Sequence, residues 1–173
     1  MKNDILPLDQ MLGEQARRIP RKTFVKFEGK KYTYRDMDRL ATVFASFLAE
    51  QGLKQGDRIA LLSCNCHEYI AAYFGIIRAG GVVLPVNNLL THEEVAFIIE
   101  DAGVTLVFYD SECSNTVQKL TQRERGNRKY FTLAETAQRQ PAAATPVFPQ
   151  TRPDEVSTIL YTSGTTGRPR ARS

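Results

Sequence analysis

Residues 58–109, RIALLSCNCHEYIAAYFGIIRAGGVVLPVNNLLTHEEVAFIIEDAGVTLVFY, decide the fold class of this chain. Three short runs within the stretch, 58–63, 82–86 and 104–109, are rich in consecutive apolar residues. Such runs are typical of strands that are buried on both faces, because a strand with one wet face alternates apolar and polar residues. Segments of helical spacing separate the runs. The stretch therefore predicts an α/β protein with a doubly wound parallel sheet flanked by helices.

Two helices are predicted between these strands. The first covers residues 67–79. The second begins after Thr91, which forms the pattern of a capping box with Glu94, and Gly103 is well placed to end it. One face of this second helix is predicted to enter the core, and it carries Val95, Ile98, Ile99 and Ala102.

Upstream of the stretch, residues 24–29 alternate apolar and polar residues and predict a half-exposed strand with a turn. Thr33 is placed to cap a helix, with Asp36 near its positive end, and Gly52 is placed to end that helix. The spacing directs Met37, Leu40, Phe44, Phe47 and Leu48 inward and leaves Asp38, Arg39 and Glu50 outside.

Downstream, a helix over 116–123 and a strand over 130–133 continue the alternation. Residues 141–153 hold four of the eight prolines and predict an extended surface connection. A further apolar strand is predicted at 158–161, directly before residues 162–170. A length of 173 residues allows one domain, or part of a larger one, but not two of ordinary size.

The charge distribution argues against a nucleic-acid-binding protein. The chain has 23 Lys and Arg against 19 Asp and Glu, a net charge of +4. The basic excess is scattered except in residues 123–129 and in the last six residues, whereas nucleic-acid binders concentrate it on one face. Because the run 123–129 contains Glu124 and Gly126, it is interpreted as a solvated helix end.

The three cysteines, an odd number, predict free thiols and a reducing, cytoplasmic location. Cys64, Cys66 and His67 lie close together, but a structural zinc site needs four ligands and the chain offers no second cluster. Half-buried thiols are therefore predicted here, and no metal ligand is assigned.

No targeting or membrane segment is predicted. Asp4 and Asp9 fall where a signal peptide keeps an apolar run. The most apolar stretch, residues 69–77, is much shorter than the roughly 20 residues of a membrane span, and it is interpreted as part of a core helix.

The chemistry of the chain is concentrated in residues 162–170, TSGTTGRPR. Four hydroxyls and two glycines, with the positive charge of Arg170, suit a polyphosphate site, because glycines let main-chain N–H groups approach an anion and hydroxyls add donors. The spacing is not that of a Walker loop, since two residues separate the glycines. On the pattern alone, a Ser/Thr/Gly-rich turn or linker stays open as the alternative, and such turns are common.

Residues 159–170, ILYTSGTTGRPR, resemble the phosphate-loop signature of the adenylate-forming superfamily. This superfamily includes acyl-CoA synthetases, aryl-CoA ligases, luciferases and the adenylation domains of peptide synthetases. The resemblance extends over nearly the whole chain from Leu8, and it includes residues 32–37 (YTYRDM), 56–60 (GDRIA) and 78–87 (RAGGVVLPVN). Residues 86–91 (VNNLLT) resemble the acyl-CoA synthetase branch more than the peptide synthetases.

The resemblance implies an enzyme that uses ATP with Mg²⁺, a carboxylic acid and coenzyme A. The carboxylate attacks the α-phosphate, pyrophosphate leaves, and coenzyme A then displaces AMP to form a thioester; fatty acids are the commonest substrates. By resemblance, the loop around the β- and γ-phosphates consists of Thr162, Ser163, Gly164, Thr165, Thr166 and Gly167. Arg170 falls where most members have lysine, and its forked guanidinium does not replace an ammonium directly.

The resemblance stops at the end of the chain. Family members continue well beyond this point with adenine-, metal- and ribose-binding segments and a small domain that carries a catalytic lysine. Residues 1–173 are therefore predicted to be a partial AMP-binding domain with no catalytic residue, marginal stability and no ATP–pyrophosphate exchange alone. Three alternatives stay open: a non-catalytic nucleotide-binding or interaction module, the start of a peptide-synthetase adenylation domain, or an α/β domain that contacts nucleic acid through Arg168, Arg170 and Arg172.

Overall fold

A computed structural model describes residues 6–124, 126–140, 146–152, 154–162 and 170–172. Of residues 170–172 only the main chain is described. Strands and helices follow one another along these ranges. The strands are β1 (Thr23–Phe27), β2 (Lys30–Thr33), β3 (Arg58–Leu62), β4 (Val82–Val86), β5 (Val104–Tyr109), β6 (Lys129–Thr132), β7 (Leu160–Thr162) and β8 (Arg170–Arg172). The helices are α1 (Leu8–Arg18), α2 (Tyr34–Glu50), α3 (His67–Arg78), α4 (His92–Asp101), α5 (Ser114–Arg123) and α6 (Leu133–Ala137).

A parallel sheet in the order β4-β3-β5-β6 forms the centre of the molecule. Ile59 in β3 lies opposite Val83 of β4 on one side and Leu106 of β5 on the other. Strands β3, β4 and β5 are buried along most of their length, as their apolar runs predict. The predicted parallel α/β fold is confirmed.

Helices cover both faces of this sheet, which is the doubly wound arrangement. The apolar cluster on one face includes side chains from α1, α2, α3 and α6, and its rings pack edge to face, with the centroids of Phe44 and Phe108 5.4 Å apart. The cluster on the other face joins α4 and α5 to the sheet through residues such as Leu84, Ile99 and Val117.

The predicted helix ends are confirmed at two capping boxes. The Thr33 side chain accepts a hydrogen bond from the Asp36 amide while the Asp36 carboxylate accepts one from the Thr33 amide. Thr91 and Glu94 do the same at the start of α4. Gly103 follows α4 with φ +62°, a left-handed conformation that glycine adopts without strain.

Four elements were not predicted: α1, β2, α6 and β8, the last of which begins within the predicted phosphate-binding stretch. Helix α1 follows Pro7, which has no side chain that can cap it. Strand β2 becomes a strand through its antiparallel pairing with β1, although it begins with the exposed residues Lys30 and Lys31. Helix α6 has only five residues, but the Thr132 hydroxyl caps it at the Glu135 amide, and this pattern is visible in the sequence.

The prediction that Asp38 lies on the outer face of α2, away from other elements, is wrong. Its carboxylate accepts a hydrogen bond of 2.7 Å from Arg78 of α3, and the same guanidinium donates to the Thr42 hydroxyl at 2.7 Å. The Arg78 side chain is 12% exposed and that of Asp38 31%, so the arginine is largely shielded from water while the carboxylate is partly exposed. Asp38 therefore links α2 to α3.

The interpretation of residues 123–129 as a solvated helix end is also wrong in part. Arg128 pairs with Glu124, and both side chains are largely buried. Arg128 Nε also donates to the Val104 carbonyl at 2.8 Å, and the Tyr130 hydroxyl donates to Glu124 at 2.7 Å. These contacts tie the end of α5 to β5 and β6, so Arg128 serves the fold.

The most apolar predicted stretch, residues 69–77, lies inside the 12-residue helix α3. The longest described helix is α2, with 17 residues. In the ranges that the structure describes, none of the helices has both the length and the apolarity needed to cross a membrane.

Candidate functional site

The predicted phosphate-binding stretch begins in β7 and returns in β8. Thr162 is the last residue of β7 and is exposed. Ser163, Gly164, Thr165, Thr166 and Gly167 lie outside the described residues. The main chain of Arg170 begins β8 and pairs with Thr162 across an antiparallel ladder. The described main chain thus brings together the first and the last of the predicted site residues.

The strand that leads into this stretch lies beside β4. The Val83 amide donates to the Ser157 carbonyl at 2.9 Å, and the Ile159 amide donates to the Val83 carbonyl at 2.9 Å. At this bridge Thr158 runs parallel to Val83. A strand was predicted at 158–161, and the structure has the bridge at Thr158 followed by β7.

Side chains hold this strand from both faces of the sheet. On the α3 face, the hydroxyls of Tyr73 and Thr158 are 2.5 Å apart. On the α4 face, the Tyr161 hydroxyl donates to Asp101 at 2.5 Å. Burial and the Asp101 carboxylate raise the pKa of Tyr161 to about 12, so that its hydroxyl stays protonated at neutral pH.

The segment before the strand rests on α1 and on the end of α3. The Thr151 hydroxyl donates to Asp9 at 2.8 Å, and Gln10 donates to the Thr151 carbonyl at 3.3 Å. Pro149 packs over Gly80, where a Cβ would lie 2.6 Å from the proline ring. Residues 146–152 form neither helix nor strand. Their contacts with α1 and Gly80 hold them against the domain.

A second polar cluster lies beyond the ends of β3 and β5. The loop after β3 leads to α3 on one face of the sheet, and the loop after β5 leads to α5 on the other face. The Asp110 carboxylate accepts hydrogen bonds from the Ser63 hydroxyl at 2.7 Å, the Cys64 amide at 2.5 Å and the Cys113 amide at 3.1 Å. Burial disfavours the charged carboxylate, but these bonds outweigh it and lower the pKa of Asp110.

Asp110 was not singled out from the sequence, although a polar residue directly after a buried strand is a visible signal. Its carboxylate accepts three hydrogen bonds, from Ser63, Cys64 and Cys113. We therefore assign Asp110 a structural role, in which it links the loops that follow β3 and β5.

The cysteines and His67 take part in local contacts. Cys66 Sγ accepts the Tyr69 amide at 3.3 Å and caps α3, while Cys64 Sγ accepts from Asn88 at 3.0 Å. The His67 ring stacks on Tyr32 with centroids 3.9 Å apart, and burial lowers the pKa of His67. Within the described part of the chain, no three His, Cys, Asp or Glu side chains are arranged to hold a metal ion.

Cys113 is expected to resist alkylation in the folded chain. It is 5% exposed, and burial, assisted by Asp110, raises its pKa to about 12, so the thiolate fraction at pH 8 is very small. Peptide mass spectrometry after iodoacetamide treatment at pH 8 should show labelling of Cys113 at least about tenfold slower than in urea. Cys64 is the internal reference. Labelling of Cys113 at its urea rate would contradict the buried placement.

Comparison with known proteins gives consistent matches. A family model described as "AMP-binding enzyme" matches residues 12–171. The chain is 38% identical over 100 residues to the long-chain-fatty-acid–CoA ligase of Bacillus subtilis, covering 58% of the chain and 18% of that protein. It is 28% identical over 165 residues to surfactin synthase subunit 2 of Bacillus subtilis, covering 95% of the chain and 4% of that protein.

Among solved structures, a fatty acyl CoA synthetase of Mycobacterium tuberculosis superimposes with a TM-score of 0.82 and 28% identity. The match covers 94% of the chain and 33% of that protein. The chain therefore spans about a third or less of the length of each of these three proteins.

Proposed function

The chain belongs to the family of AMP-binding enzymes, as its signature predicts, and on that premise we propose that it supplies the phosphate-binding part of an ATP-dependent carboxylic acid–CoA ligase. The observation that carries the proposal is the hydroxyl- and glycine-rich stretch whose ends, Thr162 and Arg170, pair in β7 and β8. The reaction joins an acid to the α-phosphate of ATP, releases pyrophosphate, and passes the acyl group to coenzyme A.

The role of this chain in that reaction is electrostatic. The main-chain N–H groups around Gly164 and Gly167, with the hydroxyls of Thr162, Ser163, Thr165 and Thr166, would donate to the β- and γ-phosphates. Such donors stabilise the charge that builds on the leaving pyrophosphate. Arg170 would add a positive charge. Since residues 158–172 contain no carboxylate, Mg²⁺ would be held here by the phosphates of ATP.

A fatty acid is the proposed substrate class, supported by the 38% identity to a long-chain-fatty-acid–CoA ligase. The similarity to surfactin synthase subunit 2 favours a second candidate, an adenylation domain that passes its acyl group to a carrier-protein thiol. A cytoplasmic location is proposed because the three cysteines are free. Nucleic acid is not among the proposed partners, because most of the basic excess is scattered along the sequence and Arg128, in the basic run 123–129, is committed to the fold.

The test uses both the 173-residue chain and the longest product that its gene encodes. Titration calorimetry with ATP and Mg²⁺ measures nucleotide binding by the chain itself. Acid-dependent ATP–pyrophosphate exchange in the longest product, followed by assay of CoA thioesters over acids of increasing length, measures the ligase. Loading of a carrier protein in place of CoA would favour the second candidate. ATP binding without exchange in either product would favour the non-catalytic module, and absence of ATP binding would refute the proposal.

Loss of two loop hydroxyls in the Thr165→Val, Thr166→Val double variant should weaken ATP binding by roughly tenfold to a hundredfold, because each lost donor leaves phosphate charge unpaired. Calorimetry on the 173-residue chain checks it. The matched control is Thr121→Val on α5, an exposed threonine outside the stretch, which should bind ATP as the parent does. Equal affinities in both variants would show that ATP binds elsewhere.

A further inference from the structure

The strand that carries the proposed phosphate loop has little main-chain support from the sheet. Strands β3 and β4 pair from Arg58 to Leu62, whereas β4 and the strand before the loop meet in a bridge at Thr158. Two main-chain hydrogen bonds at Val83 make this bridge. Leu160, two residues beyond it, is 51% exposed. The position of Thr162 therefore depends on other contacts.

Two tyrosine hydroxyls provide such contacts, and they act from opposite faces. Tyr73 comes from α3 and reaches Thr158, at the start of the strand. Tyr161 belongs to the strand itself and reaches Asp101, the last residue of α4. Tyr161 directly precedes Thr162, where the proposed loop begins.

We infer that Tyr73 and Asp101 are positioning residues for the proposed phosphate loop, acting through Thr158 and Tyr161. This inference rests on the proposed function. Neither residue has to touch ATP. Each one ties the strand to a helix on its own face of the sheet, so that the loop leaves the sheet from a fixed point. A loop whose donors are held in place binds an anion without first having to become ordered.

The chemistry of the two bonds makes the inference testable by removing single oxygen atoms. Tyr73→Phe and Tyr161→Phe keep the aromatic rings and remove one hydroxyl each. Asp101→Asn keeps an oxygen that can accept from Tyr161, whereas Asp101→Ala does not. At neutral pH the Tyr161 hydroxyl is protonated and acts as the donor.

Tyr130 supplies a matched control at the other edge of the sheet. Its hydroxyl donates to Glu124 at 2.7 Å, and it lies on β6, which pairs with β5. Its pKa is also raised to about 12, by burial and by Glu124. Tyr130→Phe therefore removes the same kind of tyrosine–carboxylate bond from an edge strand without touching the segment that leads to the loop.

Two measurements on the 173-residue chain test the inference. Calorimetry with ATP and Mg²⁺ should show about threefold to tenfold weaker binding in Tyr73→Phe, Tyr161→Phe and Asp101→Ala, the range expected for one lost hydrogen bond. Tyr130→Phe and Asp101→Asn should bind as the parent does. Hydrogen exchange should be faster at residues 159–162 in the three weakened variants and unchanged there in Tyr130→Phe.

The two measurements separate the inference from the proposed function. Failure of the parent chain to bind ATP would refute the proposed function, and the exchange rates would still show whether the hydroxyls hold the strand. Unchanged exchange at residues 159–162 in Tyr161→Phe would overturn the inference, whatever the parent binds. Faster exchange with unaltered ATP affinity would also overturn it, because the strand would then be held without any effect on the loop.

Discussion

Replacing Phe108 with alanine is expected to lower the free energy of unfolding by about 3–5 kcal/mol. The side chain lies on β5 and is completely buried. Its ring packs against Phe44 at 5.4 Å and Phe47 at 6.0 Å between centroids, so that alanine would leave a cavity between the sheet and α2. A loss of this size is a large part of the stability of an ordinary domain, about 5–15 kcal/mol.

Phe97 provides the matched control for this substitution. It lies on α4, a helix that packs on the parallel sheet through other residues, and it is 39% exposed. Phe97→Ala should cost roughly 1–2 kcal/mol, clearly less than Phe108→Ala, because about two fifths of Phe97 is already exposed and alanine favours a helix. Urea unfolding followed by far-ultraviolet circular dichroism measures both variants; the chain has no tryptophan to report. Equal losses in the two variants would mean that Phe108 is not at the centre of the core.

The strands of the sheet could be predicted well because the signal for each strand lies within its own residues. A strand buried on both faces has to be apolar at nearly every position, and Val82–Val86 and Val104–Tyr109 were predicted with the bounds that they have in the structure. Capping works in the same way, since Thr91 and Glu94 are three residues apart and satisfy main-chain groups of a single helix turn.

Contacts between distant residues account for most of what was missed. Asp38 was placed on the outer face of α2 by helical spacing alone, and its partner Arg78 lies 40 residues further along the chain. Thr151 and Asp9 are 142 residues apart, and no local pattern in either segment indicates that α1 supports the segment before β7. Pairings of this kind depend on how the elements pack.

The candidate site shows the same division. The phosphate-binding stretch was predicted from nine consecutive residues together with their resemblance to a family signature, because composition and spacing alone left a Ser/Thr/Gly-rich turn open. The residues that hold its strand, Tyr73 and Asp101, lie 85 and 60 residues from their partners. The proposed chemistry therefore lies in one segment of the chain, whereas the position of that segment depends on contacts with other segments.

Gly75→Ala is expected to destabilise the fold by about 1–3 kcal/mol, although alanine is the better helix former. Gly75 lies where α3 crosses α2, and a Cβ there would be 2.6 Å from the Cβ of Phe44 and 2.7 Å from the carbonyl oxygen of Ala41. Both atoms are fixed by the backbone of α2, so a side-chain rotation cannot relieve the clash. The two helices would have to move apart.

Gly13→Ala is the matched control for Gly75→Ala, because it is the same substitution in another helix. Gly13 lies in α1, and the nearest atoms to its added Cβ are 3.7 Å and 3.9 Å away, at ordinary contact distance. It should stabilise the fold by about 0.5–1 kcal/mol through helix propensity alone. Because α3 also carries Tyr73, Gly75→Ala should speed hydrogen exchange at the Ile159 amide, and Gly13→Ala should not. Stabilisation by both substitutions in urea unfolding would mean that α2 and α3 do not pack through Gly75.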